Sequence, residues 1–107
     1  MEQIFNLILH AGNSKSSAME AIECARDGRL QDAYFKLGDA QHELTIAHRL
    51  QNKVFQTELH GTQVITDLLT VHAQDHLTAA MITLDLSEEF VRLYQLVKGI
   101  GSKEEIS

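Results

Sequence analysis

No proline interrupts this chain of 107 residues, and that absence constrains the fold more than any other feature. Proline removes a backbone donor and clashes with the preceding helical turn, so helix interiors exclude it. Ala, Leu, Glu and Gln recur instead, and all four favour helix. Apolar residues repeat at three- and four-residue intervals, the spacing that places them on one helix face. The chain reads as all-α. Its length suits one domain with a modest core, and its hydrophobic fraction of 44% is ordinary for a globular protein.

The first helix is expected over residues 2–26, with Ile4, Leu7, Ile8, Ala11, Ala18, Ile22 and Ala25 on its apolar side. Asp27-Gly28 ends it, because glycine accepts the left-handed conformation that follows a helix terminus. The second is expected over 30–58, on the stripe Leu30, Ala33, Leu37, Ala40, Leu44, Ala47, Gln51 and Val54. Alternating Leu and Ala in a near-heptad spacing favour close helix approach. His60-Gly61-Thr62 marks a second turn. The third helix is expected over 63–97, closed by Gly99 and Gly101, with a polar tail over 99–107. Three long helices joined by two short turns form an antiparallel bundle.

The third helix would span roughly 50 Å at 1.5 Å per residue. It carries one stripe through Ile65, Leu68, His72, Asp75, Ala79, Ile82 and Leu86. Val71, Leu77, Ala80, Met81 and Leu84 lie off that stripe. A helix apolar on several sides needs cover on several sides, so an oligomer is expected with this helix near the shared axis.

The formal net charge of −6 argues against binding nucleic-acid phosphates. The N-terminus lacks the basic segment and long apolar run of a secretory signal. No stretch approaches the roughly 20 apolar residues of a membrane span. The single cysteine, Cys24, has no internal disulfide partner and lies among Ala21, Ile22 and Ala25, which favours a buried structural thiol. A cytoplasmic location is expected.

His72-Ala73-Gln74-Asp75-His76 interrupts the first stripe of the third helix. That face is expected to be dry, and a histidine and a carboxylate there cost free energy unless each is paired, hydrogen-bonded or metal-bound. His72 and Asp75 are three residues apart and His72 and His76 four, so all three share one side. Three chemistries fit. A neutral imidazole can accept a phosphoryl group and pass it on, with His72 or His76 as acceptor and the other as support. The donor would be another phosphorylated molecule, since the chain has no phosphate-binding loop or kinase motif. Alternatively, two histidines at i and i+4 can bind zinc, and His-x-x-Asp-His is one methylene from the His-x-x-Glu-His of inverted zinc proteases. Asp is short for the required base, and no third ligand is evident. The third reading is a hydrogen-bonded polar layer that sets helix register. Among the other histidines, His10, His42 and His60 read as surface residues and His48 as half-buried.

Val71-His72-Ala73-Gln74-Asp75-His76-Leu77 resembles the active-site motif of the lactose/cellobiose-type IIA components of the bacterial phosphoenolpyruvate-dependent sugar phosphotransferase system. Ala11-Gly12-Asn13 with Ala18-Met19-Glu20-Ala21 resembles that family's first helix, and Ala47-His48 with Gln51 its second. The similarity covers residues 4–97. Thr78 departs from a common Met, and Ser14-Lys15 from a common Ala-Arg, neither placed at the nucleophile. Ala73 resembles the cellobiose/chitobiose branch.

The resemblance implies a homotrimeric helical bundle with phosphotransferase activity. His72 would carry the phosphoryl group, received from the phosphocarrier HPr and passed to a cysteine of the cognate IIB component, for uptake of a cellobiose-, chitobiose- or lactose-like disaccharide. The membrane IIC component would be met only indirectly. Asp75 would lie at the trimer axis, where three copies bind one divalent metal such as Mg²⁺. Oxygen ligands suit that hard cation, and it relieves the repulsion of three converging carboxylates. His76 would support the phosphoryl site, and Gln74 is a local hydrogen-bonding candidate. Two other classes share the features of a small helical chain: a histidine phosphotransfer domain of two-component signalling, and a non-enzymatic helical adaptor.

Overall fold

The computed structural model describes the backbone of residues 2–58 and 64–106 and the side chains of residues 2–56 and 68–99. It contains three helices, α1 (Glu2–Arg26), α2 (Leu30–Glu58) and α3 (Val64–Ile106), and no strand among the described residues. Side-chain links give the direction of each helix. Ser14 bonds to Ala40, and Lys36 pairs with Glu20, so α1 and α2 run antiparallel. Gln51 bonds to Gln74 and Tyr34 to Gln95, so α3 turns back along α2. The result is an up-down-up bundle 67 Å long, in which α2 and α3 touch each other less than either touches α1.

The first turn follows from Gly28, whose φ is +87°. Its N–H bonds to the Ala25 carbonyl at 3.1 Å, and the Arg29 N–H to the Cys24 carbonyl at 2.8 Å. This paired pattern satisfies the free carbonyls at the end of α1. A side chain at Gly28 would meet left-handed backbone strain. The expected turn at His60-Gly61-Thr62 lies outside the described residues.

The core is built from small residues. Ala11, Ala18, Ala21, Ala25, Ala33, Ala40, Ala47, Ala73 and Ala80 are all buried, with Leu7, Leu44, Leu77, Leu84 and Val91 filling between them. Cys24 is buried with Ala21, Ala25, Ala33 and Val91, as a structural thiol. Beyond the core, Lys36 bridges to Glu20 at 2.7 Å. The hydrogen bond and charge of Glu20 hold the Lys36 ammonium above the ordinary lysine value.

The two apolar faces of α3 are told apart, and the expectation for its end is corrected. The stripe through Leu68, His72, Asp75, Ile82 and Leu86 is not the core face of the chain. Leu68 is 67% exposed and Leu86 53%, whereas Leu77 is 2% exposed. The core face is the opposite one, through Ala73, Leu77, Ala80, Leu84, Ser87 and Val91. Periodicity gives the phase of an apolar stripe but not the neighbour that covers it, and α3 has two such stripes. Nor does α3 stop at Gly99 and Gly101; its backbone stays helical to Ile106. Each glycine costs about 1 kcal/mol within a helix, but the residues that follow are compatible with helix. Gly28 is the only glycine at positive φ among the described residues.

Candidate functional site

The chemistry-bearing residues of α3 lie on its outer face. Ala73 and Leu77 are buried, which fixes the rotation of the helix and turns His72, Asp75 and His76 away from the core. His72 and Asp75 are exposed and His76 is half-buried. Together with Lys15 and Ala79 they line an open depression of about 290 Å³.

The two histidines are in direct contact. Their Nε2 atoms are 3.2 Å apart, and the rings meet edge to face, with centroids 4.6 Å apart and planes at 86°. One Nε2 must donate and the other accept, so at least one ring is neutral when the bond is made. Two imidazolium rings could not form it. The pair therefore holds a lone-pair nitrogen and an N–H donor side by side on an exposed surface.

Asp75 offers a carboxylate on the same face but no complete metal site. Among the described residues of one chain, no three His, Cys, Asp or Glu side chains group to hold an ion. A single carboxylate offers at most two hard oxygen donors, fewer than a divalent cation takes. Among the described residues no third ligand joins His72 and His76 to make a zinc-protease arrangement. Neighbouring polar residues brace the helices. Gln74 accepts a hydrogen bond from the Gln51 amide of α2, tying the residue between the histidines to the neighbouring helix. His48, half-buried, contacts the Leu44 carbonyl through Nδ1 at 3.1 Å.

Two placements differ from the sequence reading. His10 is not a free surface residue; it is half-buried against Glu43 of α2. Lys15, set aside as remote from the nucleophile, shares the depression with His72 and His76. No sequence signal marks it; its place follows from packing. Ser14 is buried, and its hydroxyl donates to the Ala40 carbonyl at 2.8 Å, so the next residue turns outward. His42 is exposed, and His60 lies outside the described residues.

Comparison with known proteins identifies the frame that carries this site. Residues 2–95 match the family model of the PTS lactose/cellobiose-specific IIA subunit. The chain is 48% identical over 98 residues to the lichenan-specific phosphotransferase enzyme IIA component of Bacillus subtilis (strain 168), covering 91% of this chain and 89% of that protein. It is 32% identical to the cellobiose-specific EIIA component of Lactococcus lactis subsp. lactis (strain IL1403), covering 96% and 89%. Its fold matches the crystal structure of the cellobiose-specific enzyme IIA from Bacillus anthracis with a TM-score of 0.83 and 34% identity, over 92% of this chain and 90% of that one. The chain therefore belongs to the lactose/cellobiose-specific IIA subunits of the sugar phosphotransferase system, and is a IIA component in sugar uptake.

Proposed function

We propose that His72 carries a phosphoryl group from HPr to a cysteine of the cognate IIB component. The observation that supports this most is an exposed imidazole, hydrogen-bonded at Nε2 to a second histidine, in a depression open to a docking protein. His72 would attack the donor's phosphohistidine through a neutral ring nitrogen. The donor's N–P bond breaks as the new one forms. A donor ring protonated on its remote nitrogen departs as neutral imidazole, and the positive ring charge passes to His72. In the onward step a IIB thiolate attacks phosphorus, and His72 is released neutral. Proximity and alignment supply most of the rate in such transfers. His76 has the role of orienting the His72 ring.

The assembly we propose is a homotrimer about α3. Leu68, Val71, Ile82, Leu86, Leu93 and Val97 are each more than half exposed and follow one face of the helix, a larger apolar stripe than a solitary soluble chain normally presents. Asp75 falls on that face. Three copies of it would hold one divalent cation such as Mg²⁺, which when bound neutralises carboxylates that would otherwise repel each other and the incoming phosphate. No described helix is long and apolar enough to cross a membrane; we assign the protein to the cytoplasm, meeting the membrane IIC component only through IIB. Its relatives are named for lichenan, cellobiose, lactose and N,N'-diacetylchitobiose, and we assign a cellobiose-, chitobiose- or lactose-like disaccharide as the transported sugar.

Incubation with phosphoenolpyruvate, enzyme I and HPr tests the reading. Acid-labile phosphate on this chain is the expected result. Phosphate taken only from a receiver-domain aspartyl phosphate would make the chain a signalling phosphotransfer domain. Uptake from neither would leave a helical adaptor.

A further inference from the structure

We propose that Lys15 binds the phosphoryl group while His72 accepts and holds it. The inference rests on His72 being the carrier and adds a residue of a different helix to its site. Lys15 lines the same depression as His72, His76 and Asp75, so the first helix contributes the cation and the third the nucleophile.

Its placement is built into the packing. Ala11, Ser14 and Ala18 are buried, and the Ser14 hydroxyl is anchored on the Ala40 carbonyl at 2.8 Å. These contacts set the rotation of α1 and so the direction in which residue 15 leaves it. Lys15 is exposed and makes no ion pair among the described residues. Lys36, Arg26, Arg29 and Arg92, by contrast, each lie beside a carboxylate. The depression also holds the carboxylate of Asp75, which offers an arriving phosphoryl group no hydrogen-bond donor. An unpaired ammonium is the group in the depression that is cationic whatever the protonation of the histidines.

The chemistry asks for such a cation. In phosphoryl transfer negative charge spreads over the three equatorial oxygens of the moving group, and cations that track those oxygens stabilise the transition state. An ammonium on a flexible four-carbon stem follows a group that travels between two nitrogens and then to sulfur. Lys15 forms and breaks no covalent bond in the step.

Single-turnover transfer from phospho-HPr to Lys15→Ala, Lys15→Arg and the unmodified protein decides the matter, with the concentration of phospho-HPr varied. The expected result is a maximal transfer rate lowered on the order of 10-fold in Lys15→Ala, with half-saturation little changed and unchanged thermal unfolding. Lys15→Arg restores most of the rate. The salt dependence of the maximal rate is weaker in Lys15→Ala, because screening acts on the charge that was removed. Transfer to Lys15→Ala at the rate of the unmodified protein overturns the proposal and leaves His72 as carrier. A change confined to half-saturation also overturns it, placing Lys15 in the docking surface. Failure of the unmodified protein to take phosphate brings down both readings together.

Discussion

The Nε2 atoms of His72 and His76 lie 3.2 Å apart across one turn of α3, with the two rings edge to face. This contact gives the exposed His72 imidazole a defined orientation without burying it. His76→Ala is therefore expected to keep phosphate uptake from phospho-HPr but slow it on the order of 10-fold, as an aligned nucleophile becomes a loosely held one. Rapid-quench measurement of the transfer rate checks this. A rate unchanged from that of the unmodified protein would remove His76 from the site.

The two faces of α3 should respond differently to substitution. Leu77→Ala removes a side chain that is 2% exposed and should cost about 2–5 kcal/mol of stability. Leu86→Lys alters a residue 53% exposed; it should leave the helical content intact and shift the protein towards smaller species. Chemical denaturation and analytical ultracentrifugation separate the two outcomes. An unfolded Leu86→Lys protomer would contradict the assignment of faces.

Asp75→Leu completes the apolar stripe of α3. The expected product binds no divalent metal and assembles at least as strongly as the unmodified protein, because a repelling charge is replaced by burial. Sedimentation with and without a chelator reads both properties. Dissociation to monomers would count against an axial position for Asp75.

The Ser87 hydroxyl is buried without a hydrogen-bond partner among the described residues. Leaving a polar group unsatisfied costs free energy, so Ser87→Ala should raise stability by about 1 kcal/mol. A lower unfolding midpoint would show that the hydroxyl is satisfied in solution.

The Glu20–Lys36 pair links α1 to α2 at 2.7 Å, and Glu20 holds the Lys36 ammonium above its ordinary value. A raised folded-state value contributes stability that is fully present below the unfolded lysine value and is lost as pH rises through the folded one. The stability difference between the unmodified protein and Glu20→Gln should hence be flat across neutral pH and shrink in strong alkali. The effect is small because the pair is open to solvent. Urea midpoints across pH read it, and a difference that widened in alkali would reverse the sign argued here.

Much of the fold was legible because local chemistry acts locally. The absence of proline, the Leu/Ala alternation of α2 and the glycine demanded at position 28 each act within a turn or two of chain. The covering of α3 was not legible in the same way. Leu68 and Leu77 are both apolar and lie on nearly opposite sides of one helix, and only packing against α1 and α2 decides which becomes core. The site divides similarly. His72, Asp75 and His76 stand out because they break an apolar period, whereas Lys15 is an ordinary exposed lysine in sequence. Its relevance comes from the meeting of α1 and α3, which no spacing along the chain records. Gly99 and Gly101 misled because glycine permits a helix end without compelling one.

The account turns on where phosphate resides. After phosphorylation by phosphoenolpyruvate, enzyme I and HPr, mapping the acid-labile group by mass spectrometry of peptides at neutral pH should find one phosphoryl group per chain, on His72, and none on a His72→Ala chain whose circular dichroism is unchanged. A phosphoryl group on any other side chain, or full labelling of His72→Ala, would contradict it.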